Sequence, residues 1–371
     1  MKILIVYASA GAGHFKAAEA IYNYLRDNYK GIEAKLIDVL NETNVFFRFN
    51  YSWGYTHLIK YTPFLWHWAF WITYNKTLRF LTRPLASWVD RVNTVGFAKN
   101  LILENPDYII STHFLPPEIA AHLKNEKKIR SKLITVITDF QVHPFWINQG
   151  TDTYVVASSF TKKILISEGI KETMIWDFGI PIDDKFTKDY RKEELCNRSC
   201  TDSKKFTILV VTGSSGIGPI KDIVDLLHEN MQILVVCAGN KSLFKKLNEL
   251  NYENVKVFGF VNNMQELMAI SDVIVTKPGG LSIAELLATE LVPVFISAIP
   301  GQETGNIEAL KSYGIGYEIK DIREIKRVLL DYKEHPEKLR ELKDKIKKIK
   351  KPNATQELCN AICKDSGRAA S

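Results

Sequence analysis

The sequence is poor in cysteine and has no long, uninterrupted apolar run. Five cysteines occur among 371 residues, none in a CxxC pair and none near histidines at a spacing suited to zinc. A disulfide framework and a structural metal are therefore not expected, and reduced thiols are typical of the cytosol. No stretch reaches the ~20 apolar residues that a membrane-spanning helix needs. We expect a chain without a transmembrane segment, a metal or another cofactor.

Acidic residues are missing from one long segment. Between Thr43 and Val89 there is no Asp or Glu, whereas 15 of the 41 aromatic residues of the chain lie there. Trp and Tyr favour the bilayer interface, and basic residues are attracted to anionic head groups. The segment predicts a peripheral membrane-binding surface, with an aromatic-rich core or a dimer face as the alternative. The residues assigned to this surface are Trp53, Trp66, Trp68, Trp71, Lys76 and Arg79.

The rest of the chain alternates apolar runs with helix-like segments. The runs lack polar alternation, so they indicate parallel strands that are covered on both faces. One series begins with "KILIVYAS" at Lys2, and a second begins with "FTILVVTGSSG" at Phe206, after a polar, turn-rich connection. Two series predict an α/β protein with two doubly wound, Rossmann-like parallel-sheet domains. In such domains the ligand crevice lies at the carboxyl ends of the strands.

The stretch "DVIVTKPGGLSIAELL" in the second series predicts an anion site. A strand ends at Thr276, and Gly279 and Gly280 allow the backbone to approach a ligand closely. Ser282 is expected to cap a helix that begins near Ile283. Free N–H groups at a helix start, together with the helix dipole, suit a diphosphate.

Side chains suited to a nucleotide sugar follow this turn. Glu285, expected in the first turn of the helix, can accept hydrogen bonds from the two hydroxyls of a ribose; an acid that only complements the helix dipole is the alternative. The motif "PGQETGN" follows the next strand. Gln302, Glu303 and Asn306 are therefore expected in an adjacent loop, where they suit sugar hydroxyls.

These motifs carry a family resemblance. The pattern "TKPGGLSIAE…VPVFIS…GQETGN", preceded by "VKVFGFVNNMQELMAISD", resembles the donor-nucleotide half of family 28 glycosyltransferases of the GT-B fold. The motifs "GAGHFKAAEAI", "VITDFQVHPFW" and "GIPIDDKF" are similar to the branch of monogalactosyldiacylglycerol synthases and bacterial processive diacylglycerol glucosyltransferases. The resemblance spans residues 1–310. It implies two domains that face a cleft: residues 1–180, joined by a helix near 353–366, for acceptor and membrane, and residues 181–352 for a UDP-sugar.

The resemblance also implies which residues bind the donor. It implies that the diphosphate is held by Gly279, Gly280, Leu281 and Ser282, and the ribose by Glu285. It also implies that Phe260 and Val261 border the uracil and that Gln302, Glu303 and Asn306 contact the sugar. A second glycine-rich loop, "TGSSGIG", adds Gly213 and Ser214 to the donor site.

His14 lies in "GAGH", where the first strand turns into a helix. A neutral imidazole can accept the proton of an attacking hydroxyl, and the resemblance places this histidine on the acceptor side. Asp139 is the other candidate base, or it orients His14. A helix cap or a pocket wall without proton transfer is the structural alternative. The residues assigned to acceptor binding are Gly11, Gly13, His14 and His143.

"GAGHFKAA" also invites a different interpretation, a dinucleotide fingerprint in which Asp38 at the end of the second strand would bind a ribose. Its spacing, GxGxxxA, departs from that fingerprint. A nucleotide site is already predicted in the other half of the chain, which favours an acceptor role for this turn.

The predicted function is inverting transfer of a hexose from a UDP-sugar to diacylglycerol or a glycosyl-diacylglycerol at the cytoplasmic face of the cell membrane. Glucose is favoured and galactose stays open. The helix start near Ser282 stabilises the leaving diphosphate without a metal. The alternatives are a UDP-N-acetylglucosamine transferase acting on a lipid-linked peptidoglycan precursor, and a non-catalytic UDP-sugar sensor. The expected partners are the UDP-sugar, diacylglycerol, glycolipids and an anionic membrane surface, and no nucleic acid.

Overall fold

The structure, a computed structural model, describes residues 1–54, 62, 64, 71–299 and 301–367, and within them all side chains except those of residues 52, 53, 76, 77 and 79–81. The chain divides into two compact units. The first contains Met1–Asp184, Ile299–Gly305 and Asn353–Ser371, and the second contains Lys185–Ala298 and Asn306–Pro352.

The first unit is built on a parallel sheet. Its described strands are β1 (Lys2–Tyr7), β2 (Glu33–Asp38), β3 (Tyr108–Ser111), β4 (Lys132–Val136), β5 (Thr153–Val155) and β6 (Ile175–Trp176). The strand order is β2-β1-β3-β4-β5-β6, and every pair is parallel. The order reverses between β1 and β3, and in doubly wound sheets ligands bind at the carboxyl ends of the strands at such a switch point.

Helices cover both faces of this sheet. Their bounds are α1 (Ala12–Asn28), α2 (Val45–Phe49), α3 (Lys76–Asn93), α4 (Val95–Glu104), α5 (Leu115–Asn125) and α6 (Ser159–Ser167). Along β1, Ile3 and Ile5 belong to one core cluster, and Leu4 and Val6 belong to another on the opposite face. Alternation with period two places successive side chains on opposite faces. The apolar run of β1 is therefore buried on both sides, as predicted.

The second unit is built on a second parallel sheet. Its described strands are β7 (Thr207–Val211), β8 (Gln232–Val236), β9 (Val255–Phe258), β10 (Val273–Thr276), β11 (Val292–Ile296) and β12 (Tyr317–Ile319). The strand order is β12-β11-β10-β7-β8-β9, again with parallel pairs. The switch point lies between β7 and β10, so the loops after these two strands meet at the place where a ligand crevice is expected.

The second half of the chain supplies the remaining helices, with bounds α7 (Lys192–Arg198), α8 (Ile220–Leu227), α9 (Lys241–Glu249), α10 (Met264–Ala269), α11 (Gly280–Ala288), α12 (Gln302–Lys311), α13 (Ile325–Glu334), α14 (Pro336–Ile349) and α15 (Ala354–Asp365). α15 returns to the first unit, where Leu358 and Ile362 join the same core cluster as Ile3 and Ile21. The polar connection predicted between the two series is not purely irregular: it contains α7, and Trp176 at its start belongs to β6.

The described residues contain neither a candidate membrane-spanning helix nor a candidate metal site. None of the described helices combines the length and the apolar composition needed to span a bilayer. In the same part of the chain, no group of three or more His, Cys, Asp or Glu side chains is arranged to hold a metal ion. The five cysteines are free thiols.

Candidate active site

His14 lies at the switch point of the first sheet. It is the third residue of α1, directly after the loop that follows β1. Its Nδ1 lies 2.7 Å from the carbonyl oxygen of Thr112, which follows β3, and 2.9 Å from Oγ1 of Thr138, which follows β4. His14, Thr112 and Thr138 therefore lie together because they follow the carboxyl ends of three neighbouring strands, β1, β3 and β4. The N-cap of α1 is Gly11 and not His14, so the helix-cap interpretation of this imidazole is wrong.

The hydrogen bonds of His14 decide its tautomer. A backbone carbonyl can only accept, so Nδ1 carries the proton that is donated to Thr112, and Nε2 keeps its lone pair. Burial lowers the pKa of His14 from its ordinary value, while the charge of Asp139 and the bond to Thr112 act in the opposite direction. The imidazole is therefore neutral near pH 7. Its Nε2 is the atom that can take a proton.

A second imidazole packs against the first. His113 is buried, and its ring meets that of His14 edge to face with centroids 4.6 Å apart. Its Nδ1 accepts from the N–H of Leu115 at 3.1 Å, so its Nε2 carries the proton. Burial, followed by the neighbouring His14, holds the pKa of His113 well below its ordinary value. His113 therefore stays neutral and adds no charge beside His14.

Asp139 is the other candidate for the base, and it is buried. Its Oδ2 accepts a hydrogen bond of 3.0 Å from Nε2 of Gln302. Gln302 lies in the segment Ile299–Gly305, which belongs to the first unit. Nδ1 of His14 is held by Thr112 and Thr138, so these two residues orient the ring. Asp139 acts on His14 through its charge, which raises the pKa of the imidazole.

The remaining residues assigned to the acceptor side have different surroundings. His143 caps a short 3₁₀ turn at Pro144–Trp146: its Nδ1 accepts from the N–H of Phe145 at 3.3 Å, and its Nε2 lies 3.2 Å from Oγ1 of Thr73. Gly11 is exposed, and a side chain there would meet only Cδ2 of His14, at 3.9 Å. Gly13 lies inside α1.

Asp38 is engaged by the backbone. It ends β2, and its Oδ1 accepts from the N–H of Ser9 at 3.2 Å and from that of Leu40 at 3.1 Å. A dinucleotide fingerprint needs the corresponding carboxylate for ribose hydroxyls. Here the carboxylate fixes the loop after β1, which favours the acceptor interpretation of that loop.

The predicted diphosphate residues lie at the switch point of the second sheet. α11 begins at Gly280, with Gly279 as its N-cap and no side chain in the capping position. The prediction that Ser282 caps a helix beginning near Ile283 is wrong: Gly279 takes the extended capping conformation, and Ser282 and Leu281 lie in the first turn. An N-terminus without a capping side chain leaves N–H groups for an anion.

Two further placements differ from the prediction. Glu285 lies beyond the first turn of α11, three residues after Ser282, so the two share a face of the helix. Gln302, Glu303 and Asn306 belong to α12 and not to a loop. Asn306 is fully buried, and its Nδ2 donates to the carbonyl of Pro278 at 3.1 Å. This contact holds the backbone that precedes Gly279.

The glycine-rich loop after β7 reaches the same switch point. Gly213 has φ +79°, and Ser214 is exposed, with its carbonyl accepting from the N–H of Gly239 at 3.2 Å. Thr212 is buried, and its Oγ1 has no hydrogen-bond partner among the described residues. A buried hydroxyl without a partner is costly, so a ligand oxygen at this loop would satisfy it.

Phe260 and Val261 lie just after β9, which ends at Phe258. Phe260 is 71% exposed, which is unusual for a phenylalanine and leaves its ring free to stack on a planar base. Val261 is half-buried beside it. Their role at the uracil stays a prediction.

Gly216, in the glycine-rich loop after β7, lets the backbone of that loop pack closely against the backbone of Cys237. A substitution that adds a Cβ at Gly216 tests this contact. Gly216 has φ +57°, and a Cβ there would lie 2.2 Å from the carbonyl oxygen of Cys237. We expect Gly216→Ala to lower the free energy of unfolding by about 2–4 kcal/mol, from backbone strain plus the clash. Gly213→Ala is the matched control, because a Cβ there meets nothing within 4 Å; its expected loss is about 1 kcal/mol. If urea unfolding showed the same loss of unfolding free energy in Gly216→Ala and Gly213→Ala, the close contact at Gly216 would be contradicted.

The residues predicted to bind a membrane surface are only partly described. Trp66 and Trp68 lie outside the described residues, and so do the side chains of Trp53, Lys76 and Arg79. Trp71 is 53% exposed. Other large apolar side chains are exposed on α2 and α3, and they are Val45, Phe46, Phe49, Leu85, Trp88 and Val92.

Comparisons with known proteins cover both halves of the chain. The sequence profile of the family described as monogalactosyldiacylglycerol (MGDG) synthase matches residues 14–182. That of the glycosyltransferase family 28 C-terminal domain matches residues 207–358. A protein from Bacillus cereus (strain G9842) named processive diacylglycerol beta-glucosyltransferase is 28% identical over 368 residues, which are 97% of this chain and 93% of that protein.

Solved structures share the fold over nearly the whole chain. The crystal structure of Acinetobacter baumannii MurG has a TM-score of 0.61 at 13% identity and covers 98% of this chain and 99% of that one. Anabaena Alr3699/HepE in complex with UDP has a TM-score of 0.57 at 15% identity and covers 98% and 100%. With the two doubly wound sheets, these likenesses confirm the GT-B fold class. The chain is therefore a glycosyltransferase, whose first half matches the monogalactosyldiacylglycerol synthase family and whose second half matches the glycosyltransferase family 28 C-terminal domain.

Proposed function

We propose that this glycosyltransferase moves glucose from UDP-glucose to diacylglycerol or a glycosyl-diacylglycerol, with inversion, at the cytoplasmic face of the cell membrane. The observation that carries the proposal is the state of His14: a neutral imidazole whose Nδ1–H is held by Thr112 and whose Nε2 is available as a base. The names of the bacterial relatives support glucose and diacylglycerol. The UDP complex of a protein with the same fold supports a UDP-sugar donor.

The mechanism needs one proton transfer and one displacement. Nε2 of His14 takes the proton of the acceptor hydroxyl while the oxygen attacks the anomeric carbon. The imidazolium that forms keeps its Nδ1–H on Thr112 and is stabilised by the charge of Asp139. UDP departs from the opposite face of the sugar, which inverts the anomeric centre.

The donor side is assigned to the second switch point. The free N–H groups at the start of α11, from Gly280 to Ser282, take the negative charge of the leaving diphosphate, a role that requires no metal. The unpartnered hydroxyl of Thr212 donates to a phosphate oxygen. Glu285 accepts from the ribose, Phe260 and Val261 border the uracil, and Gln302, Glu303 and Asn306 read the sugar.

The experiment compares UDP-glucose, UDP-galactose and UDP-N-acetylglucosamine as labelled donors, each offered vesicles that contain diacylglycerol and, separately, a lipid-linked peptidoglycan precursor. We expect labelled glucosyl-diacylglycerol from UDP-glucose. Transfer from UDP-N-acetylglucosamine to a lipid-linked peptidoglycan precursor alone would establish the second candidate activity. Tight UDP-sugar binding without turnover on any acceptor would show a sensor in place of an enzyme.

Membrane association is tested on described residues. Trp71 and Trp88 are 53% and 57% exposed, so replacing both by Ser removes little core packing. We expect at least tenfold weaker co-sedimentation with anionic vesicles. Each Trp side chain that becomes buried in the bilayer contributes a few kcal/mol of binding free energy, at ~25 cal/mol per Å². Phe244→Ser, on α9, is the matched control, since Phe244 is also exposed. A double variant that binds vesicles normally but melts at lower temperature would show that these rings are core.

A further inference from the structure

We propose that Thr138 is a positioning residue for the transfer reaction: its hydroxyl, with the Thr112 carbonyl, holds the His14 ring in the tautomer that leaves Nε2 as the base. The assignment rests on the proposed function for its effect on turnover. The tautomer itself is a property of the protein and is measurable without substrate.

The hydrogen bonds form a closed arrangement. Nδ1 of His14 lies 2.7 Å from the Thr112 carbonyl oxygen and 2.9 Å from Oγ1 of Thr138, so one N–H is shared between two acceptors. The Thr138 hydroxyl directs its own proton to the Thr112 carbonyl oxygen, which lies 3.5 Å from Oγ1. The Thr112 hydroxyl donates to the backbone carbonyl of His14 at 2.8 Å. Thr112 therefore holds both the ring and the backbone of His14, and Thr138 holds the ring.

Burial makes these contacts effective. Thr112 and Thr138 are 0% and 4% exposed, so water does not compete for their oxygens. Without the Thr138 hydroxyl, the ring keeps one acceptor, and its rotation about that single bond is less restricted. Placement of a base within hydrogen-bond reach of its proton governs general-base catalysis, so a looser ring costs turnover.

The Thr138 contact also affects the basicity of His14. An acceptor on Nδ1–H is bound more strongly by imidazolium than by neutral imidazole, so it raises the pKa. Two further titratable groups face the ring: Asp139, whose charge also raises the pKa, and His113, which burial keeps neutral. Loss of the Thr138 hydroxyl therefore moves the His14 titration to lower pH.

The kinetic experiment uses the full chain and three variants. We expect Thr138→Val to lower kcat about tenfold with little change in the KM for the donor, and to move the acid limb of the kcat/KM profile down by up to about one pH unit. Thr138→Ser, which keeps the hydroxyl, should restore both. Thr135→Val is the matched control: Thr135 is equally buried, and its hydroxyl bonds Thr151 at 3.0 Å. A purely structural Thr138 would change thermal stability and leave the pH limb in place.

The second experiment does not depend on turnover. Histidine labelled with ¹⁵N in the wild-type chain, with His14→Gln to assign one of the eight histidines, reports tautomer and pKa directly. A protonated Nδ1 in the wild type and a lower His14 pKa in Thr138→Val support the assignment. A proton on Nε2 in the wild type, or an unchanged pKa in a folded Thr138→Val, overturns it. If no donor is turned over, the proposed function fails while this measurement still decides the role of Thr138.

Discussion

His14→Ala is expected to lower kcat by about 10²–10⁴-fold while UDP affinity stays nearly intact. The imidazole is the proposed base; it is half-buried at the end of the first sheet, and its Nε2 has no proton in the neutral state. The residues proposed to bind UDP, at the start of α11 and after β7 and β9, follow strands of the other sheet, so UDP binding should be spared. Steady-state kinetics and calorimetry with UDP measure the two effects separately.

The same base predicts a pH dependence. Burial sets the pKa of His14 below its ordinary value of 6.5. A base must be deprotonated to act, so activity is present above this pKa and is lost as the pH falls through it. The acid limb of the wild-type profile should therefore lie below pH 6.5.

A matched histidine separates catalysis from a general histidine effect. His122, on α5, pairs with Glu126 at 3.3 Å and is partly exposed, so His122→Ala should stay within a few-fold of the wild type. If His14→Ala also stays within a few-fold and Asp139→Asn abolishes transfer, the base is Asp139.

Glu285→Ala is expected to weaken UDP binding about 10- to 150-fold. A carboxylate that accepts from both ribose hydroxyls makes two charge-assisted bonds, and its loss costs about 1.5–3 kcal/mol. Calorimetry with UDP is the measurement, and UDP in place of the UDP-sugar keeps the acceptor and the sugar out of the comparison. Glu308→Ala, an exposed acid on α12, is the control. Unchanged UDP affinity in Glu285→Ala would remove this residue from the donor site.

The sequence predicts the strands of the two sheets well, for a physical reason. β1, β7 and β10 are apolar runs that are buried on both faces, and such runs stand out in any linear pattern. β6 has only two residues, Ile175 and Trp176, and each pairs with a residue of β5 that lies 21 positions earlier in the chain. A run of that length carries no periodicity.

The site is less accessible from the sequence. The sequence pattern misplaces the start of α11, because Gly279 and Ser282 are both good N-caps and only the backbone conformation shows that Gly279 takes that position. The motif around His14 indicates the imidazole but not its hydrogen-bond partners. Thr112 and Thr138 lie 98 and 124 positions away, and no local pattern links residues at that separation. The available signal was their placement directly after β3 and β4, where strand ends meet a crevice.

The packing of α15 has a consequence for biosynthesis. Its residues Leu358 and Ile362 complete the core cluster of the first sheet, although the continuous part of that unit ends at Asp184. A ribosome adds about 5–20 residues per second, so this core stays unfinished for roughly 10–30 s after its strands have emerged. During that interval the face of β1 and α1 that α15 covers is exposed to solvent. The nascent chain therefore offers a chaperone a hydrophobic surface that the finished protein does not have.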